Sequence, residues 1–432
     1  MSDLSRVISF ASGLYRQRAG VAFAGYVRRD PLARLTLRPG RANPYAIYDR
    51  LRASGPLVPT RLGNWSSTSY RVCSSVLRDR RFGVRPAEEG RPEEQLFDLS
   101  FLGMNPPDHT RVRRLAQPAF SPRAVAGYTG RIEAKVGELL DTAAAAGEFD
   151  LISEFAGALP IAVITDMLGI PDADARAFSR YGAVIGSALD GIRSLRHAAQ
   201  LNESRLALHR LFEELFELRR RDPQDDVVSR IVAAEGTGLQ PAEMLPMCTL
   251  LLVAGFETTV NLIGNAVLAL LAHPGQWAAL CADPTGLAGP AVEETLRWDP
   301  PVQATTRVAM EPLEVAGQAL RKGQIVLTLI GATGRDPEVY ERPDTFDIHR
   351  APGADTLAFS SGIHYCLGQP LAMLEARIAL QVLAERMPGL ARAGKVERRN
   401  ATIIRGPISV PVTAGRGARP AARAPAPGAP AR

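Results

Sequence analysis

The stretch "LAFSSGIHYCLGQPLA", residues 357–372, places a cysteine among small residues, with a histidine two positions before it. A cysteine sulfur can be a nucleophile, a metal ligand or an idle buried thiol, and the reactive form is the thiolate. Leu371, Leu374, Ile378 and Val382 recur at helical spacing until Pro388 and Gly389 stop the pattern, and Pro370 suits a first helical turn. Cys366 therefore stands at or just before a predicted helix N-terminus, where free N–H groups and the positive dipole end favour a thiolate. Gly362 and Gly368 flank it and let the backbone approach something large and flat. His364, two residues away in an extended loop, points to the same side and can donate to an anionic group. A cysteine-protease reading needs a base and an orienting residue, and this spacing supplies neither.

The second group of polar residues lies mid-chain. From Met244 to Ala272 the only charge is Glu257, and about 20 apolar residues are enough to span a bilayer. Glu257, Thr258, Thr259, Asn261 and Asn265 nevertheless fall mid-stretch, where polar groups cost most in lipid. The pattern predicts a long helix buried on nearly all sides of a soluble protein. Ala254 and Thr258 are four apart, so the Thr258 hydroxyl reaches the Ala254 carbonyl, a contact expected to open the helix locally, with Gly255 leaving space alongside. Glu257 and Thr258 form an acid–alcohol pair suited to relaying protons. Glu294 and Arg297, three apart on one helix face, can pair locally.

These elements must come from a chain of 432 residues, 46% hydrophobic, which can bury a large core. Arginine is spread along the sequence, so the net charge of +6 does not mark a nucleic-acid surface. Cys73, Cys248, Cys281 and Cys366 are dispersed without a CxxC pair, which argues against a thiolate zinc site and fits a reducing cytoplasm. The N-terminal pieces "VISFASGLY" and "VAFAGYV" are short, separated by Arg16 and Arg18 and followed by Arg28 and Arg29. They do not read as a signal peptide. They predict a helix on the domain's flank, with contact to a membrane surface as the alternative. Residues 1–40 are read as a helical extension, 41–413 as one domain, and 414–432 as an Ala/Pro/Gly/Arg tail unable to form a core.

Helical patterns dominate, as in "RIEAKVGELLDTAAAA", "SRLALHRLFEELFELRRR" and "NPYAIYDRLRAS", the last with an Asn43 cap before Pro44. Strand-like runs are few: "PLVPTRL", "SYRVCS", "LEVAG", "QIVLTLIG" and "ISVPV". The fold class is mostly α with a small β region.

Phe359, Gly362, His364, Cys366, Gly368 and Ala372 match, in order and spacing, the haem-binding signature FxxGxHxCxGxxxA of the cytochrome P-450 family. "AGFETT" (254–259) resembles that family's central-helix motif, "EETLR" contains its ExxR as Glu294 and Arg297, and "HTRVR" (109–113) resembles its HxxxR. The wording is most similar to soluble bacterial, especially actinobacterial, members. The resemblance extends over nearly the whole chain.

It implies a single-domain, α-rich triangular prism with haem between the central helix and the helix after the cysteine loop. Cys366 is then the axial thiolate of a non-covalent haem b, a ligand that favours O–O cleavage. Covalent attachment is not expected, since no CxxCH occurs. Backbone N–H groups after the cysteine temper the sulfur, and a bulky side chain at 362 or 368 would collide with the porphyrin. His109, Arg113, Arg307 and His364 are the implied propionate partners. Thr258 and Glu257 are the implied catalytic pair, with Ala254 and Gly255 beside the cofactor. Glu294 and Arg297 are structural and need a third basic residue; Thr345 occupies its usual position, leaving Arg342, His349 or Arg350.

The implied reaction consumes dioxygen, two electrons and two protons to hydroxylate or epoxidise a hydrophobic small molecule. No GxGxxG follows a strand, so electrons are expected from a separate ferredoxin and its reductase, docking near Arg111, Arg114 and Arg377. Phe97, Phe101, Leu102, Val253, Thr305, Ile403 and Ile404 are the expected substrate-pocket residues. The chain is expected to act as a cytoplasmic monomer. The rival readings are a haem sensor or carrier and a peroxide-driven peroxygenase, neither of which needs the Glu257–Thr258 pair.

Overall fold

The apolar run around Glu257 folds as one helix, Pro241–Ala272, in a computed structural model that describes residues 3–61, 63–86, 98–171 and 175–415. Its start is fixed by sequence: Pro241 opens the first turn, and the Glu243 carboxylate accepts from the Gln240 N–H at 2.9 Å. The most apolar part of this helix is 83% buried among the protein's own elements, so its length is that of a core helix. The two asparagines inside it bond to backbone through Nδ2, while their Oδ1 atoms have no hydrogen-bond partner among the described residues. Asn261 Nδ2 donates to the Glu257 carbonyl at 2.7 Å, and Asn265 Nδ2 donates to the carbonyls of Asp299 and Arg405 at 3.1 and 3.2 Å.

Around this axis pack the helices Ala158–Leu168, Ala175–Gly186, Pro284–Trp298 and Gln369–Arg386. Ile164, Phe256, Ile263, Leu296, Leu371 and Leu383 belong to one continuous apolar core. A five-stranded sheet lies outside it, in the order Val58–Pro59, Trp65–Ser67, Ile325–Thr328, Thr305–Ala309, Phe82–Gly83. Trp65–Ser67 and Ile325–Thr328 run parallel, and the other neighbours run antiparallel. This sheet carries Arg307 on its fourth strand.

Two local expectations change. "SYRVCS" is not a strand but the start of the helix Tyr70–Arg78, capped by Ser69, whose Oγ accepts from the Val72 N–H. Cys73, Val76 and Leu77 form its buried face, and that three- and four-residue spacing outweighs the strand preference of Val72 and Tyr70. The helix near Asn43 begins at Tyr45; the Asn43 side chain still accepts from the Tyr45 N–H at 3.2 Å. Phe97 and the segment from 416 onward lie outside the described residues.

Candidate active site

Cys366 is set by a tight loop that closes before Gln369–Arg386. Its N–H donates to the Phe359 carbonyl at 2.9 Å, and the Tyr365 N–H donates to the Gly362 carbonyl at 3.1 Å. The N–H of Ala372 bonds back to Gly368 at 3.0 Å and starts the helix. Burial pushes the Cys366 thiol up, while N–H donors from Gly368 and Gln369 and the charge of Arg113 act in the opposite direction. Cys73 and Cys248 are buried in packed protein, and burial pushes the Cys73 thiol up to about 12. Cys281 is half-buried, and Cys366 is the exposed cysteine of the four.

Protein contacts account for Gly362 but not for Gly368. Gly362 has φ +69°, and a Cβ there would sit 2.4 Å from the Leu77 carbonyl oxygen. Its small size is demanded by the loop's passage over the end of Tyr70–Arg78. At Gly368 a Cβ would first meet Phe120 at 3.8 Å, so no protein atom requires glycine there. The loop is also held by Arg78 Nε, which donates to Ser361 Oγ at 2.8 Å.

Beside the cysteine, the loop brings together four cationic or donor side chains from three elements. The rings of His109 (helix Asp108–Ala116) and His364 lie 4.2 Å apart. Burial and the charges of Arg113 and Arg307 hold His109 down to about 4; burial, His109, Arg307 and Arg113 hold His364 down to about 3. Arg307, 4% exposed, is pushed down to about 10 by burial and reaches Ser360 Oγ at 3.3 Å. An Arg113 guanidinium N–H donates to the Tyr365 carbonyl at 2.5 Å. Both ring nitrogens of His109 and Nε2 of His364 are buried with no hydrogen-bond partner among the described residues. Orphaned buried polar nitrogens cost stability unless a partner completes them, and the positive charges of Arg113 and Arg307 beside them favour an anionic one. The donor set thus fits a group bearing carboxylates next to an uncovered thiol, as haem does.

On the central helix, Thr258 Oγ1 donates to the Ala254 carbonyl at 3.1 Å and Thr259 Oγ1 to Gly255 at 3.2 Å. The helix is continuous through this point, so the expected local opening is absent. Ala254 is exposed next to buried Val253, and Thr258 is half-buried between buried Glu257 and Thr259. Gly255 instead faces the helix Ala158–Leu168, where a Cβ would lie 2.8 Å from Ile164 Cδ1. The bare position is therefore Ala254. Glu257 is 5% exposed and lies 2.7 Å from an Arg399 guanidinium nitrogen, without hydrogen-bond alignment. Burial raises its pKa and Arg399 opposes the rise. Arg399 carries no motif, and its role was invisible in the sequence.

The Glu294–Arg297 pair is buried and its third member is Arg350. Arg297 donates to both Glu294 oxygens at 2.7 and 2.8 Å and to the carbonyls of Gly334, Pro343 and Thr345 at 2.6–2.8 Å. Arg350 Nε lies 3.2 and 3.4 Å from the same carboxylate. Thr345 contributes only its carbonyl.

Of the expected pocket residues, Phe101 is brought to the cluster: its ring is 6.5 Å from His109 and 5.9 Å from the Arg113 guanidinium. Leu102 is exposed and Val253 belongs to the main core. Thr305 is half-buried, Ile404 pairs with Val302, and Ile403 packs with Tyr45 and Ala304 on the sheet side. Arg111 is not a free docking charge. It donates to both oxygens of Glu243 at 2.8 and 2.9 Å and to Asp108 at 3.0 Å.

A mostly helical fold with this loop defines a haem-thiolate protein, and the comparisons agree. The cytochrome P-450 family model matches residues 288–386. The biotin biosynthesis cytochrome P-450 of Bacillus subtilis (strain 168) is 40% identical over 359 residues, covering 81% of this chain and 90% of that protein. Cytochrome P-450 monooxygenase PikC of Streptomyces venezuelae is 39% identical, covering 81% and 85%. The crystal structure of P-450BioI in complex with hexadec-9Z-enoic acid ligated acyl carrier protein superposes with a TM-score of 0.81 at 38% identity, covering 86% of this chain and 98% of that one. The chain belongs to the cytochrome P-450 family. It is a monooxygenase, and its cofactor is haem held through a cysteine thiolate.

Proposed function

We propose that Cys366 is the axial thiolate, that haem b is bound non-covalently, and that this cytoplasmic enzyme oxidises a hydrophobic small molecule with electrons from a separate ferredoxin. The observation that carries the assignment is the group of buried, unpartnered His109 and His364 nitrogens, with Arg113 and Arg307, gathered beside the uncovered Cys366. His109, Arg113, Arg307 and His364 would hold the two propionates, and the N–H groups of Gly368 and Gln369 would hold the sulfur as thiolate. When bound, haem supplies dioxygen activation, with overall consumption of two electrons and two protons per substrate oxidised.

The chain's own residues supply position and protons. The Thr258 hydroxyl, held on the Ala254 carbonyl, keeps its oxygen lone pairs free to accept and pass a proton. Glu257 would supply that proton, and Arg399 sets how readily it does so. The uncovered Ala254 offers apolar surface on the central helix, and the Phe101 ring stands beside His109 and Arg113, which suits a substrate with few polar anchors. The fatty acyl group in the P-450BioI complex supports the same substrate class. The partner's acidic face would meet Arg114, which is exposed, with Arg377.

The test is the ferrous carbon monoxide spectrum of the purified holoprotein against Cys366→His. The native chain should give the thiolate-type band and the variant a nitrogen-ligated one; an unchanged band would remove Cys366 from the metal.

A further inference from the structure

The proposed function leaves the N-terminal segment unused. From Leu4 to Arg29 the chain carries five arginines (6, 16, 18, 28 and 29) and no carboxylate. The segment folds as the helix Asp3–Ala22 continued by a wider turn, Phe23–Val27. One face is committed to the protein: Leu14, Ala24 and Gly25 are buried, and a Cβ at Gly25 would lie 2.5 Å from Leu37 Cδ1. Four large apolar side chains face outward. Tyr15, Phe23, Tyr26 and Val27 are 53%, 50%, 61% and 65% exposed, four of the ten exposed large hydrophobic residues among those described, within thirteen positions.

Packing on the flank accounts for the inner face and leaves the outer one unexplained. The Arg28 guanidinium lies 5.3 Å over the Phe23 ring. Arg18 donates to the Arg193 carbonyl, which ties the helix to the turn before Leu195–Arg221, where Leu195 and Arg196 are also exposed. The result is an outer face that mixes rings with arginines, in a stretch whose sequence holds no acid from residue 4 to 29.

We propose that this face docks the enzyme reversibly on an anionic lipid surface. Aromatic rings settle at headgroup depth and arginines pair with lipid phosphates, the combination this face presents. The segment lies on the surface and does not span it, since Arg16 and Arg18 interrupt its apolar run. Two copies meeting through this face would set Arg16, Arg18, Arg28 and Arg29 against the same four charges, so self-association is disfavoured. An acidic protein would satisfy the arginines without burying four outward apolar side chains.

The experiment is flotation of the full-length holoprotein with vesicles of phosphatidylcholine alone or mixed equally with phosphatidylglycerol. The native protein should float with the anionic vesicles only and be released by high salt. Phe23→Ser/Tyr26→Ser/Val27→Ser should stay in the dense fraction. Arg16→Gln/Arg28→Gln/Arg29→Gln should bind about a hundredfold more weakly, at about fivefold per arginine. All substituted side chains are exposed, and an unchanged Soret spectrum in both variants verifies the fold. The proposal is overturned if the native protein floats with neither vesicle, or equally with both, or if the triple serine variant floats like the native chain. A native dimer that the serine variant converts to a monomer, without vesicle binding, would overturn it in favour of a second copy.

Discussion

Gly362→Ala separates two explanations for the small residues around Cys366. Alanine there meets a left-handed backbone, φ +69°, which costs a residue with a Cβ about 1 kcal/mol. Its Cβ would also stand 2.4 Å from the Leu77 carbonyl oxygen, a backbone atom that no rotamer change can move. The loop must retreat by several tenths of an ångström. That retreat strains the Arg78–Ser361 bond (2.8 Å) and the Cys366–Phe359 bond (2.9 Å), each worth about 1 kcal/mol. Together these predict a loss of about 2–4 kcal/mol even before any haem is present. Gly368→Ala is the control: its Cβ would first meet Phe120 at 3.8 Å. It should leave haem-depleted protein within about 0.5 kcal/mol of native stability and act only on haem uptake. Urea denaturation of the haem-depleted proteins, followed by circular dichroism, measures both. If Gly362→Ala unfolds at the native midpoint, or both glycines behave alike, the backbone-approach argument is wrong and the porphyrin-contact explanation returns.

Three further outcomes are expected. Glu294→Ala leaves the buried Arg297 guanidinium without its carboxylate and should cost about 3–5 kcal/mol. Arg350→Ala removes the longer contacts to that carboxylate and exposed bonds to the Glu341 and Thr345 carbonyls at 2.6 and 2.8 Å, and should cost about 1–2 kcal/mol; equal losses by chemical denaturation would contradict the ranking. Thr258→Ala should retain haem but yield less product per dioxygen consumed, and an unchanged ratio would exclude the hydroxyl from proton delivery. His197 is held neutral: its Nδ1 accepts from the Arg193 N–H at 3.0 Å, and its Nε2 lies 2.7 Å from Ser187 Oγ, which itself donates to the Val184 carbonyl. Burial lowers its pKa below the unfolded value, so its contribution is present above about pH 6.5 and lost as pH falls. His197→Gln should flatten the acid side of the melting-temperature profile, and parallel profiles would refute that assignment.

The site was legible where one short stretch fixes both residue type and backbone. Phe359 through Ala372 form a single loop-and-turn unit, so the placement of Cys366 at a helix start follows from Pro370 and the spacing behind it. The Thr258–Ala254 bond was readable for the same reason, since a four-residue separation in a helix determines the contact. What could not be read depends on chain segments far apart in sequence. Leu77 lies 285 residues before Gly362, and no local pattern shows that its carbonyl will occupy the space a side chain would need. "SYRVCS" departs from its strand-like reading because the i, i+3, i+4 burial of Cys73, Val76 and Leu77 becomes visible only when the residues after it are included.

Glu257 shows how such distant contacts alter chemistry. Read locally, it is an acid next to an alcohol and a ready proton donor. In the fold its carboxylate is enclosed by Gly186 and by Arg399, which arrives from a segment 142 positions later. Burial favours the protonated form and the guanidinium favours the ionised one. The proton that Thr258 would receive is thus held by a balance between two opposed effects, one set by the helix core and the other by a residue near the C-terminus. A motif can name the donor, but only the folded chain reveals what governs its release.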